Sequence, residues 1–217
     1  MATDRLPCRS EAAATAVVGV GNPTRRDDGV GRAVVRRLEL PSVETAFAGT
    51  TAMFALESLS GHEHAVIVDA VADDAPAGTV GRYRLDAPPD GTPEVTLHDF
   101  TIADALRSCR HVYDLPERLV LVGIVPAAVE VGVGVTDPVA AAIPTAAALV
   151  RAECGLAPRH DEGQTMQSTW YCEDCQERID AEAIDDHEAR GHRVRGRMRP
   201  ERLLAQDPWE TGEGGDG

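Results

Sequence analysis

Two constellations in this 217-residue chain are built from side chains that hold cations. The first is dispersed. Asp27 and Asp28 lie inside the stretch Gly19-Val-Gly21-Asn-Pro-Thr-Arg-Arg-Asp27-Asp28-Gly-Val-Gly31, Asp69 ends the apolar run Val66-Ile-Val-Asp69, and His98 stands just before a segment with helical periodicity. Two carboxylates and an imidazole meeting at one place would give an O,O,N donor set for a first-row divalent metal, with coordination positions left open. The second is compact: Cys172-x2-Cys175-x11-His187-x4-His192. Its spacing is close to that of a C2H2 zinc finger, with one residue fewer in the middle.

Each motif has a plainer reading. A glycine-bearing turn between a strand and a helix suggests dinucleotide binding, but Thr24 occupies the third fingerprint position, and adjacent carboxylates would repel a pyrophosphate. An Asp at the end of a buried strand serves equally well as a turn or helix cap, and an isolated His is most often a loop or capping residue. Asp27 competes with its neighbour Asp28 for the first acidic role. A C-x-x-C pair can be a redox dithiol, but no thioredoxin-like βαβ unit surrounds this one. A finger of some thirty residues is too small to fold without a staple, so bound Zn2+ would supply its stability.

The elements that must position these groups follow from periodicity. Residues 15–21 form a nearly continuous apolar run, the pattern of a parallel strand covered on both faces. A helix is predicted from 28 to 38, with Val30, Val34 and Leu38 inward and Arg32, Arg36 and Arg37 outward. Further strands are predicted at 43–48, 65–69 and 119–125, and a more exposed strand at 79–85. Helices are predicted at 51–59, 99–110 and 138–152, the last kinked or split at Pro144. Alternating strands and helices imply an α/β fold, a mostly parallel sheet with helices on both faces. The expected organisation is a disordered lead-in (1–14), an α/β domain (15–152), a linker (153–168), a small ββα-like zinc-binding module (169–199, its helix at 181–190) and a disordered tail (200–217).

In order and spacing, the segments VVGVGNPTRRDDGVG, VIVDAV, LHDFTIADAL and LVLVGIVPAAVEVGVGVTDPVAAAIP resemble the hydrogenase-maturation protease family over residues 16–150. The resemblance implies a three-layer α/β/α sandwich. It also implies an endopeptidase that trims a C-terminal extension from the large-subunit precursor of a [NiFe] hydrogenase once nickel is inserted. By position, the residues that would contact the substrate's nickel and carry catalysis are Asp28, Asp69 and His98, and Gly49-Thr50-Thr51 resembles a small-residue turn lining the substrate cleft. The chain carries no G-x-S-x-G elbow and no H-E-x-x-H helix, so a substrate-assisted mechanism is expected. Two other readings use the same residues: a non-catalytic, nickel-checking or chaperone-like binding protein, and a zinc-finger regulator on a repurposed α/β fold.

Composition narrows the partners. Every basic residue other than histidine is Arg, and the net charge of −15 opposes nucleic acid and anionic membranes. The presumed finger helix itself carries Glu182, Asp185, Asp186 and Glu188, which favours protein docking over DNA reading despite Arg193, Arg195, Arg197 and Arg199 beyond it. No apolar run approaches the roughly 18 residues that a membrane span needs, and a cytoplasmic protein is expected. Cys8, Cys109 and Cys154 are read as unpaired thiols, since the odd count of five cysteines argues against a disulfide framework. The acidic excess suits a high-salt cytosol, where screening relieves self-repulsion. Unfolding midpoints in low and high KCl check this: stability is expected to rise with salt, and equal midpoints would remove the halophilic reading.

Overall fold

The computed structural model describes residues 15–38, 40, 43–85, 105–106, 109, 111–157, 159 and 166–204. Eight strands form one mixed sheet in the order β2-β1-β3-β5-β4-β8-β6-β7. The strands are β1 (Thr15–Gly19), β2 (Glu44–Phe47), β3 (His64–Ala70), β4 (Val80–Arg84), β5 (Arg118–Ile124), β6 (Met166–Cys172), β7 (Glu177–Ile179) and β8 (Val194–Pro200). Parallel pairing is confined to β2, β1, β3 and β5, and every later pair is antiparallel.

Three layers follow from the period-2 burial of the parallel strands. Ala16 and Val18 of β1, Ala65 and Ile67 of β3, and Leu119 and Leu121 of β5 face helix α2 (Ala52–Leu59) and Ala105–Leu106. The intervening Val17, Val66, Val68, Val120 and Val122 face α1 (Val30–Arg37) and α3 (Asp137–Glu153). With only 4 % aromatic residues in the chain, this core is close-packed by Val, Ala, Leu and Ile on both faces of the sheet. No helix among the described residues is long and apolar enough to cross a membrane.

Four details differ from the sequence-based expectation. The first helix begins as a 3₁₀ turn (Arg26–Gly29) before α1, so Asp28 sits in a tight turn ahead of the helix proper. Strand β4 is not exposed: four of its five residues are buried, because β5 and β8 pair with its two edges. Helix α3 runs unsplit through Pro144, which is buried against the sheet, so packing there outweighs the lost backbone hydrogen bond. Residues 169–199, read as a small module, supply β7, most of β6 and β8, and a six-residue helix α4 (Ile184–Ala189) preceded by a 3₁₀ turn (Ala181–Ala183). Their strands continue the same sheet through the β8–β4 pairing, and a last turn of helix, α5 (Glu201–Leu204), follows β8.

The glycine motif serves packing. Gly31 begins α1 where the helix rests on the strands, and a Cβ there would lie 2.2 Å from the Val20 carbonyl oxygen and 2.4 Å from that of Val68. Gly31→Ala is expected to cost roughly 1–3 kcal/mol of stability, read as a lowered urea midpoint with unchanged slope.

Candidate functional site

Strand β1 has β2 on one side and β3 on the other, and the chain leaves its carboxyl end for α1 while α2 packs on the opposite face. That divergence opens a crevice at the carboxyl edge, where open α/β sheets bind ligands. Asp28 and Asp69 meet there. Gly21 lies between them with φ of 120°, and a Cβ on it would fall 1.8 Å from the Asp28 carbonyl oxygen and 3.5 Å from Asp69 Oδ1. Only glycine fits this position, because both its backbone conformation and the Asp28 carbonyl exclude a side chain.

The two adjacent aspartates have different work. Asp27 is fully buried, and its carboxylate accepts four hydrogen bonds: from the amides of Ala127 and Ala128 (both 2.9 Å), the amide of Thr136 (2.6 Å) and the Thr136 hydroxyl (2.8 Å). It pins the loop between β5 and α3 to the glycine turn, and this use leaves it no freedom to bind a ligand. The loop is fastened further by Arg25 Nε donating to the Val129 carbonyl and by the Arg26–Glu130 ion pair. Asp28 is half-buried, and among the described residues its carboxylate accepts only the Asn22 amide, at 3.2 Å. Sequence alone left Asp27 and Asp28 in competition, because Asp27's partners lie about a hundred residues away in the chain.

Asp69 is 3 % exposed, and its Oδ1 accepts the Ala70 amide at 2.8 Å. Burial pushes its carboxyl up to about 8; that amide partly opposes the shift, and the nearby Asp28 adds to it. At neutral pH the free protein therefore holds Asp69 mostly protonated, and a cation entering the crevice would displace that proton. His98 lies outside the described residues. Gly49, with φ of 63°, closes the other side of the crevice by accepting the Gly21 amide, and space beside it is open. Exposed apolar side chains stand on the flanking segments: Phe47, Met53 and Phe54 on one side, and Val129, Val131 and Val133 on the Asp27-anchored loop.

A second cluster forms at the far end of the sheet. One ligand atom from each of Cys172, Cys175, His187 and His192 lies within 4.8 Å of the others. Sulfur-to-Nδ1 distances are 3.6 Å for Cys172–His192, 3.6 Å for Cys175–His187 and 3.2 Å for Cys175–His192. Zn–S and Zn–N bonds in a tetrahedron imply an S···N edge of about 3.6 Å, so the four groups are spaced as S2N2 ligands. The Cys175 amide donates to Cys172 Sγ at 3.4 Å. Nothing in the sequence set apart the neighbour of His187: Glu188, one of four acids on the presumed finger helix, is buried.

The three-layer α/β fold is that of solved maturation peptidases, and comparison of the sequence with known proteins agrees. The family model described as HycI, hydrogenase maturation protease, matches residues 30–153, so the chain belongs to the hydrogenase maturation protease family. It is 32 % identical over 134 residues to the hydrogenase 2 maturation protease of Escherichia coli (strain K12), covering 58 % of this chain and 82 % of the relative. It is 30 % identical over 153 residues to the coenzyme F420 hydrogenase subunit delta of Methanothermobacter thermautotrophicus (strain Delta H), covering 64 % of this chain and 94 % of that one. Among solved structures, the hydrogenase maturating endopeptidase HybD from E. coli superposes with a TM-score of 0.56 at 29 % identity, covering 68 % of this chain and 98 % of its own. The chain is accordingly a peptidase of that family. Asp69 and His98 fall inside the matched range, and Asp28 lies two residues before it.

The raised Asp69 carboxyl makes a pH prediction. An acid whose folded pKa (about 8) exceeds its unfolded value (3.8) costs stability as pH rises between the two. Asp69→Asn is therefore expected to unfold at a higher temperature than wild type at pH 8, with the two curves converging towards pH 4. Parallel curves over that range would refute the assignment.

Proposed function

We propose that this peptidase removes a C-terminal extension from the large-subunit precursor of a [NiFe] hydrogenase after nickel insertion, with Asp28, Asp69 and His98 contacting the substrate's nickel. The observation that carries the reading is the Asp28–Asp69 pair at the carboxyl edge of the parallel strands, one carboxylate half-exposed and the other buried with one amide partner among the described residues. A divalent ion already held by the substrate satisfies both, and desolvation in the crevice strengthens that attraction. Such docking sets the scissile peptide beside a carboxylate or a metal-polarised water. The apolar side chains on either side of the crevice suit an extended peptide threaded between them.

We further read Cys172, Cys175, His187 and His192 as a Zn2+ site, on the strength of their donor set and their near-tetrahedral spacing. The zinc would be structural: the four protein ligands complete a tetrahedron and leave no position for water.

One observation favours the binding-protein alternative, since the methanogen relative is named as a hydrogenase subunit. Mass spectrometry of a nickel-loaded large-subunit precursor incubated with this protein separates the readings. Wild type is expected to release a C-terminal peptide, and Asp28→Asn and Asp69→Asn to slow release at least about 100-fold, as for loss of a group that orients the substrate. Nickel-dependent binding without cleavage would favour the non-catalytic role, and full activity of Asp69→Asn would remove that residue from the site.

A further inference from the structure

We propose that the Cys172–Cys175–His187–His192 site is a metal-operated latch, which holds an added group of strands against the peptidase sheet and reaches the peptidase core through Glu188. The inference rests on reading those four residues as a metal site.

The match to the family ends at residue 153. Up to that point the sheet has the order β2-β1-β3-β5-β4, which leaves β4 as an edge strand with one side unpaired. Here β8 takes that edge, pairing Val80 with Met198, Gly81 with Arg197 and Arg82 with Gly196. Strand β8 is held in turn by β6 over seven positions, the last pairing the ligand Cys172 with Val194. Gly196 sits in register between Arg82 and Trp170, and the Trp170 ring lies over it so closely that a Cβ would be 2.3 Å from the ring. Metal ligand, strand and peptidase edge therefore form one continuous mechanical path.

A second path is electrostatic. Arg82 of β4 is 1 % exposed, a position no arginine holds without counter-ions. Glu153, at the end of α3, supplies one at 2.5 Å; Glu188, the residue after the ligand His187, supplies the other at 2.7 Å. The Val194 carbonyl accepts a third contact from Arg82 Nη1 at 3.1 Å. The same two glutamates reach Arg118 of β5, Glu153 at 3.1 Å and Glu188 at 2.9 Å, and Arg84 stands 3.5 Å from Glu188. Two of the three groups around Arg82 thus come from the segment that the metal organises. Helix α4 has six residues and β7 three, too few to hold Glu188 in place without a staple. Loss of the metal frees His187, withdraws Glu188 and Val194 from Arg82, and leaves Glu153 alone against the buried guanidinium of Arg82 and the adjoining Arg118.

Hydrogen exchange on the full-length protein tests this, with zinc alone as the probe and metal content measured on the same samples. One zinc per chain is expected, and chelation is expected to speed exchange across residues 166–204 and also in β4 and β5, by on the order of 100-fold in the latter two. Strand β5 decides, because it forms no ladder with β8 and meets the added segment at Glu188. Glu188→Gln keeps the shape and removes the charge; it is expected to retain one zinc while β5 exchange rises. Should Glu188→Gln fail to fold, chelation of the wild type still gives the β5 readout. Chelation that speeds exchange only within 166–204, β5 unchanged, would overturn the latch and leave the metal site standing. Failure to bind zinc at one per chain would overturn both.

Discussion

Removing an ionisable side chain from water costs several kcal/mol unless the protein supplies partners, and this chain does so at Asp27, Asp69 and Arg82 with three different outcomes. Asp27 is answered in full by three amides and a hydroxyl, and becomes the peg that fixes the β5–α3 loop. Arg82 is answered by two carboxylates and a carbonyl, and becomes the joint between the peptidase sheet and its added strands. Among the described residues Asp69 is answered by a single amide, and burial drives its carboxyl upward. The group with the fewest partners among the described residues is the one at the carboxyl edge of the parallel strands.

That contrast explains how one short turn carries two aspartates without redundancy. Glycine at 21 lets the chain double back so that the Asn22 amide meets the Asp28 carbonyl at 3.1 Å, and the 3₁₀ turn then directs Asp27 towards the 127–136 segment and Asp28 towards Asp69. The crevice is thus built by backbone geometry, and the dinucleotide-like spacing of its glycines reflects close packing of α1 on β1 and β3. A loop that cradles phosphates would offer free amides here, whereas these donate to the Asn22 and Asp28 side chains and to neighbouring carbonyls.

The added C-terminal strands solve a problem that the parallel half of the sheet creates. Ending at β4, the sheet would present an open edge carrying a buried arginine with one counter-ion. Strand β8 alternates buried Val194, Gly196, Met198 and Pro200 with half-buried Arg195, Arg197 and Arg199; of these, Arg197 pairs with Asp73 and Arg199 bonds to Thr79. The basic run at 193–199 is thereby drawn into the sheet, with Arg193, Arg197 and Arg199 each engaged by a neighbouring oxygen.

The sequence by itself determined the parallel half of the fold and singled out the side chains proposed here to contact metal. Apolar strands covered on both faces, α1's valines at helical spacing, and the Cys/His spacing are local patterns set by one strand, one helix turn or one knuckle. Asp28 and Asp69 were legible as ends of such elements. Tertiary structure alone decided which of two adjacent aspartates was free, that β4 is buried, that α3 passes intact through Pro144, and that Glu188 faces Arg82 instead of solvent. Each of those depends on partners from distant parts of the chain, about a hundred residues away for Asp27 and Arg82. No periodicity reports them, because they follow from what the folded neighbour offers to a buried charge or an unpaired strand edge.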